Sequence, residues 1–129
     1  MDFSNIRILL VEDAQIPREA GRMILSMMKC QVDVAETGAQ ALEQFDSHSY
    51  DLIFMDIGLP DTDGFMVTKS IRDKEAQSGK HVAIIALTAH NSEEYRKKAE
   101  QSGMDDFLAK PLMPNRAQEM IEKYVLPLK

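Results

Sequence analysis

The chain has 129 residues, 44% apolar and 28% charged, which suits one globular domain spanning 1–129 and excludes a disordered segment. A net charge of −6 offers no basic face for neutralising phosphates, so nucleic acid is not expected as a direct partner. The single cysteine, Cys30, cannot close an internal disulfide and fits a reducing cytoplasm. Neither a signal peptide nor the ~18 apolar residues of a membrane span can be read in the chain, so no membrane partner is expected.

In chain order, Ile8–Val11 is a short continuous apolar run, the pattern of a strand covered on both faces. Ile16, Ala20, Met23, Ile24 and Met27 then recur on one face of a first helix. Val32–Ala35 is a second strand, and Thr37 with Gln40 makes a capping box opening a helix that carries Ala41, Leu42 and Phe45. Leu52–Met55 is a third strand, followed by a loop bounded by Pro60 and Gly64. Asp63 is placed to cap a third helix marked by Phe65, Val67, Thr68 and Ile71. Val82–Leu87 is a fourth strand. Asn91 with Glu94 resembles a capping box for a fourth helix, which ends at Gly103 and has a poor apolar stripe, Tyr95 and Ala99. Asp106–Ala109 is a weaker fifth strand. Pro114 suits the first turn of a fifth helix with Ala117, Met120, Ile121, Tyr124 and Val125 on its apolar face. Five strands alternating with five helices predict an α/β fold, an open parallel sheet with helices on both faces.

Such sheets bind ligands beyond the carboxyl ends of their strands. Strand one ends in Glu12 and Asp13, strand three in Asp56 and strand four in Thr88, and strand five leads into Lys110. Singly, each has an ordinary structural explanation as a helix cap, turn or solvated charge; together they define one rim. Carboxylates ~4 Å apart at an effective dielectric of ~20 repel by about 4 kcal/mol per pair, so the rim either protonates or recruits a cation. Few carboxylates in an open, wet site favour Mg²⁺ over Ca²⁺. A metal, a lysine and a hydroxyl around one further carboxylate suit phosphoryl transfer, with Asp56 as nucleophile.

The segments VED (Val11–Asp13), FMDIGLPDTDG (Phe54–Gly64), ALTA (Ala86–Ala89) and FLAKP (Phe107–Pro111), in this order and spacing, resemble a response-regulator receiver domain over essentially the full length. The resemblance implies a doubly wound, flavodoxin-like (βα)5 fold with strand order 2-1-3-4-5. It implies that Asp56 accepts phosphate from a phosphohistidine on a histidine kinase or histidine-phosphotransfer domain. Asp13, Asp56 and the Gly58 carbonyl would ligate Mg²⁺, with Glu12 acting through water. Thr88 and Lys110 would contact phosphoryl oxygens, and Pro111 would follow a peptide bond that is typically cis. Phe107 falls at the switch-aromatic position and, lacking a hydroxyl, is expected to lie inward; by residue type alone it would be core packing. Phosphorylation would alter the face built by the fourth helix, fifth strand and fifth helix, where a downstream protein could dock. Such a domain is not an enzyme beyond its own phosphorylation and dephosphorylation.

Gly58 and His90 lie two residues beyond Asp56 and Thr88, where the family tunes hydrolysis of its acyl phosphate. Gly58 offers no side chain to hold an attacking water, whereas His90 could hold or block one. Pro17 and Lys29 depart from common family residues, and Lys29 predicts a first helix ending without a left-handed turn. His48 and His81 read as surface residues without partners, and Asp61 as a solvated charge. A rival class, aspartate-nucleophile phosphohydrolases, is matched formally by Asp61-Thr62-Asp63-Gly64, but Leu59-Pro60 separates that motif from the strand. No G-x-G-x-x-G follows the first strand, so nucleotide binding finds no support. The style of the IALTAH and GLPDTDGF segments is nearest to receivers of hybrid sensor kinases, leaving both an excised receiver and a stand-alone one open.

Overall fold

A computed structural model describes residues 3–89 and 93–128. Its elements are β1 (Arg7–Val11), α1 (Gln15–Met27), β2 (Gln31–Ala35), α2 (Gly38–Ser47), β3 (Leu52–Asp56), α3 (Gly64–Glu75), β4 (Ala83–Thr88), α4 (Glu93–Ser102), β5 (Asp106–Ala109) and α5 (Pro114–Tyr124). The strands form one sheet in the order β2-β1-β3-β4-β5, and every pairing is parallel. This is the architecture expected of strict β-α alternation, and the polar ends of β1, β3 and β4 share one rim.

The sheet separates two apolar cores. Ile8, Leu10, Phe54, Ile85 and Leu108 face one, with Leu25 of α1 and Ala117 and Ile121 of α5. Leu9, Val11, Ile53, Met55 and Ile84 face the other, with Ala41 of α2, Val67 and Ile71 of α3 and Ala99 of α4. Alternate residues of one strand thus feed opposite cores, which is why β1, β3 and β4 are continuously apolar. The second strand departs from this expectation: Val32, Asp33 and Val34 are only half-buried, because β2 is an edge strand and lacks a neighbour on one side.

Within the apolar stripe of α1, Ile24 packs against the core while three other residues do not. Ile16, Met23 and Met27 are 83%, 60% and 75% exposed, and the buried residues of the helix are Gly21 and Leu25. A Cβ at Gly21 would lie 2.8 Å from Leu10 Cδ2, so the helix meets the sheet along its smallest residue. Helical periodicity identifies an apolar face but not what that face touches.

Side-chain caps open two helices as expected. Thr37 Oγ1 accepts from Gln40 N–H at 3.0 Å, and Asp63 Oδ1 accepts from Met66 N–H at 2.9 Å. Pro17 lies in the first turn of α1, where it displaces no intrahelical hydrogen bond. The end of α1 differs from expectation: Lys29 adopts φ 73°, the left-handed region, while Cys30 N–H donates to Leu25 O at 3.2 Å. The chain makes the usual left-handed turn without the usual glycine. In α4 only Ala99 and Ser102 are buried, and Tyr95 stacks on Phe65 of α3 with ring centroids 6.5 Å apart.

At the end of the sheet opposite the polar rim, Arg72 gathers four acceptors. Its guanidinium donates to Gly103 O at 2.9 Å, Val82 O at 2.8 Å, Glu75 Oε1 at 2.6 Å and Asp105 Oδ2 at 2.9 Å. Asp105 Oδ2 also accepts from Ile84 N–H, and Glu75 Oε2 from Val82 N–H. This lattice ties α3 and the α4–β5 turn to the start of β4. His81 belongs to it, 2.8 Å from Asp105 Oδ1, and His48 meets Tyr50 edge-on at 6.1 Å; neither is the partnerless surface residue read from sequence.

Candidate functional site

The rim is built by strands that end in register. Met55 pairs with Val11, Asp56 with Leu87, and Thr88 with Ala109, so the residues just beyond come level with one another. Glu12, Asp13 and Asp56 each bring a carboxylate oxygen within 4.8 Å of the others. Lys110 Nζ lies 2.9 Å from Asp56 Oδ2 and 3.0 Å from Glu12 Oε1. Asp56, Glu12 and Thr88 are buried, whereas Asp13 is exposed, so the cluster is open to solvent on the Asp13 side. The Lys110–Pro111 peptide is cis.

Electrostatics distinguish the buried acids. Burial, then Glu12 alongside, pushes the Asp56 carboxyl up to about 7, against the opposing pull of Lys110. Burial also works to raise Glu12, but hydrogen bonds from Asp56, Lys110 and the Ala14 N–H outweigh it and leave Glu12 below its usual value. One proton therefore tends to reside on Asp56 between the two. Hard oxygen donors that cannot all ionise without added positive charge fit a divalent cation such as Mg²⁺.

The loop after β3 holds Asp56 in place. Gly58 N–H donates to Asp56 Oδ1 at 3.1 Å, Gly58 forms an antiparallel bridge with Asp63, and Gly64 N–H donates to Ile57 O at 2.8 Å. A side chain at Gly64 would collide with the Asp56 carbonyl, so the return of the loop requires glycine there. Nothing lies within 4 Å of a Cβ built on Gly58, which leaves that position open to solvent.

Two residues of the neighbourhood were not legible in the sequence. Arg18 NH1 donates to the carbonyls of Asp13 (3.0 Å) and Glu12 (3.4 Å) and pairs with Glu36 at 3.5 Å, fastening the acidic turn to α1. Asp61 is exposed, as read from sequence, but it is also bonded: its Oδ1 and Oδ2 accept from the Gly38 and Ala39 N–H groups at 2.9 and 3.1 Å. These bonds hold its carboxyl below the ordinary range. With Asp61 on the start of α2 and Asp63 capping α3, both acids of the D-T-D-G match are structural, which removes the phosphohydrolase motif.

Phe107 pairs with Ala86 one strand beyond the cluster and is buried, with the Arg96 guanidinium 5.3 Å from its ring centroid. His90 and Asn91 lie outside the described residues. Cys30 is a free, buried residue whose thiol is pushed up to about 11 by burial. No helix among the described residues is long and apolar enough to cross a membrane.

Comparison with known proteins agrees with this geometry. The chain is 41% identical over 122 residues to the hybrid signal transduction histidine kinase L of Dictyostelium discoideum, covering 92% of this chain and 7% of that one. It is 37% identical to the transcriptional regulatory protein ResD of Bacillus subtilis, covering 88% of this chain and 46% of ResD. The chain thus spans a small part of most curated relatives it matches. Among solved structures, one similar chain is in a co-crystal of the Saccharomyces cerevisiae phosphotransfer protein Ypd1 with the receiver domain of Ssk1 (TM-score 0.87, 34% identity, 93% of this chain and 88% of that one). Another is the receiver domain of a Pseudomonas aeruginosa sensor histidine kinase with magnesium in its active-site cleft (TM-score 0.84, 35% identity, 93% and 97% coverage). The family described as "Response regulator receiver domain" matches residues 8–122. The buried aspartate that ends the central strand, with two acids and a lysine beside it, lies within the matched residues, and the chain belongs to the response-regulator receiver domains.

Proposed function

We propose that Asp56 is the phosphoacceptor of a phosphorelay switch. One observation carries this reading: Asp56, alone among the three acids of its segment, ends a buried strand beside both Lys110 and a second buried acid. An ionised Asp56 oxygen attacks the phosphorus of a phosphohistidine in line; the P–N bond breaks, and the imidazole leaves with the electron pair and takes up a proton. Lys110 turns from the Asp56 carboxylate to a phosphoryl oxygen, and the Thr88 hydroxyl donates to another. Mg²⁺ held by Asp13, Asp56 and the Gly58 carbonyl, with Glu12 acting through water, would neutralise charge gathering on the phosphoryl oxygens. Movement of Thr88 toward the new phosphoryl group leaves space into which Phe107 packs, and the α4-β5-α5 face changes for a downstream partner.

The donor is a histidine kinase or a histidine-phosphotransfer domain, and its docking site is the exposed stripe Ile16, Met23 and Met27 on α1, beside the acidic turn. The co-crystal of the yeast phosphotransfer protein with a similar receiver supports a donor of this class. The same chemistry serves a stand-alone single-domain switch or a receiver within a hybrid sensor kinase, and similarity to several hybrid kinases favours the second context. Gly58 and His90 would set phosphate lifetime. The reduced, buried Cys30 is consistent with a cytoplasmic setting.

Incubation with acetyl phosphate and Mg²⁺ tests the assignment. Intact-protein mass spectrometry should show one hydroxylamine-labile phosphate, absent from Asp56→Ala. No phosphate on the wild type, or phosphate retained in Asp56→Ala, refutes it.

A further inference from the structure

The loop from Gly58 to Asp63 is pinned at both ends. At its base, the Gly58–Asp63 bridge and the Gly64 N–H to Ile57 O bond close it against the sheet. At its tip, both carboxylate oxygens of Asp61 engage successive N–H groups at the start of α2, and the Thr62 methyl occupies the space over Gly38 where a Cβ would stand. The helix already has its own local cap in Thr37, which serves the Gln40 N–H, so Asp61 supplies a second anchor from a distant segment. Charge-assisted bonds from two adjacent donors fix both the position and the tilt of the loop that bears them. That loop carries Gly58, whose N–H donates to Asp56 Oδ1 at 3.1 Å.

We infer that Asp61 is a positioning residue for the phosphoacceptor site, holding the loop on α2 so that Gly58 presents its carbonyl to the cation and its N–H to Asp56. The inference rests on the reading of Gly58 as a cation ligand. Outer contacts that orient a ligand typically matter 10–100-fold for metal affinity; an anchor acting through backbone belongs at the low end.

Isothermal titration of Mg²⁺ into the full chain, with urea unfolding run in parallel, tests the inference through Asp61→Ala, Asp61→Asn and Thr37→Ala. Asp61→Ala should bind Mg²⁺ about tenfold more weakly. Asp61→Asn keeps an acceptor for the Gly38 N–H and should lose clearly less. Thr37→Ala removes the local cap without touching the loop; it should unfold at lower urea yet keep wild-type Mg²⁺ affinity. Wild-type affinity in Asp61→Ala overturns the inference. Equal losses in Asp61→Asn and Asp61→Ala also overturn it, since they assign the effect to charge alone, as does an equal loss in Thr37→Ala, which assigns it to helix stability. Failure of the wild type to bind Mg²⁺ instead refutes the reading of the site itself.

Discussion

Lys110 Nζ sits 2.9 Å from Asp56 Oδ2, yet the carboxyl remains harder to ionise than an ordinary aspartate, because burial and Glu12 together outweigh the lysine. Asp56 moves from an ordinary 3.8 to about 7 in the folded chain. The native state then binds more protons than the unfolded chain between those values, so stability is highest below the lower one and falls as pH rises through the upper. In chelator, Asp56→Asn should be more stable than wild type by about 1–3 kcal/mol at pH near 8, with the advantage gone near pH 4. Urea midpoints across pH measure this; parallel profiles for the two proteins would contradict it.

Arg72 neutralises Glu75 and Asp105 at the opposite end of the sheet, all three largely removed from solvent. Arg72→Ala strands two partly buried carboxylates and two carbonyls. A loss of about 3 kcal/mol is expected in denaturant unfolding. Because the site lies at the other rim, acetyl phosphate should still modify Asp56 in the folded fraction. A loss under about 1 kcal/mol would show the lattice to be stabilising in appearance only.

Lys29 holds a left-handed conformation that suits glycine better. Lys29→Gly should raise stability by about 0.5–1 kcal/mol, the relief of strain exceeding the added freedom of the unfolded chain. Lys29→Ala should give no such gain. Thermal denaturation of the three proteins distinguishes backbone strain from any effect of the lysine charge.

Met23 and Met27 project from α1 with little packing of their own. Met23→Gln with Met27→Gln should leave stability and modification by acetyl phosphate unchanged. Transfer from a phosphotransfer protein should slow about tenfold, the scale of losing anchors at an interface centre. Equal slowing with both donors would place the damage in the site rather than on the docking face.

The alternation of strands and helices was legible because each run of apolar residues is short and bounded, and the rim was legible because polar residues stand at strand ends. Roles that depend on distant segments were not. Asp61 looks solvated beside its sequence neighbours and only acquires Gly38 and Ala39 through the fold. His81 and Asp105 meet across 24 positions, and Arg18 reaches back to the acidic turn through helix geometry. For α1 the period was real and the facing only partly so: Ile24 packs on the core, whereas Ile16, Met23 and Met27 are exposed and Gly21 makes the close approach to Leu10.

The Arg72 lattice gives β5 one fixed end. Asp105, just before the strand, is clamped by Arg72, by the Ile84 N–H and by His81, while Lys110, just past the far end, pairs with Asp56 and Glu12. Between these two charged anchorages the strand is paired to β4 over its whole length, so it is held as a tie rod joining the two rims of the sheet. Phe107 lies midway along that tie, with the lightly held α4 packed beside it.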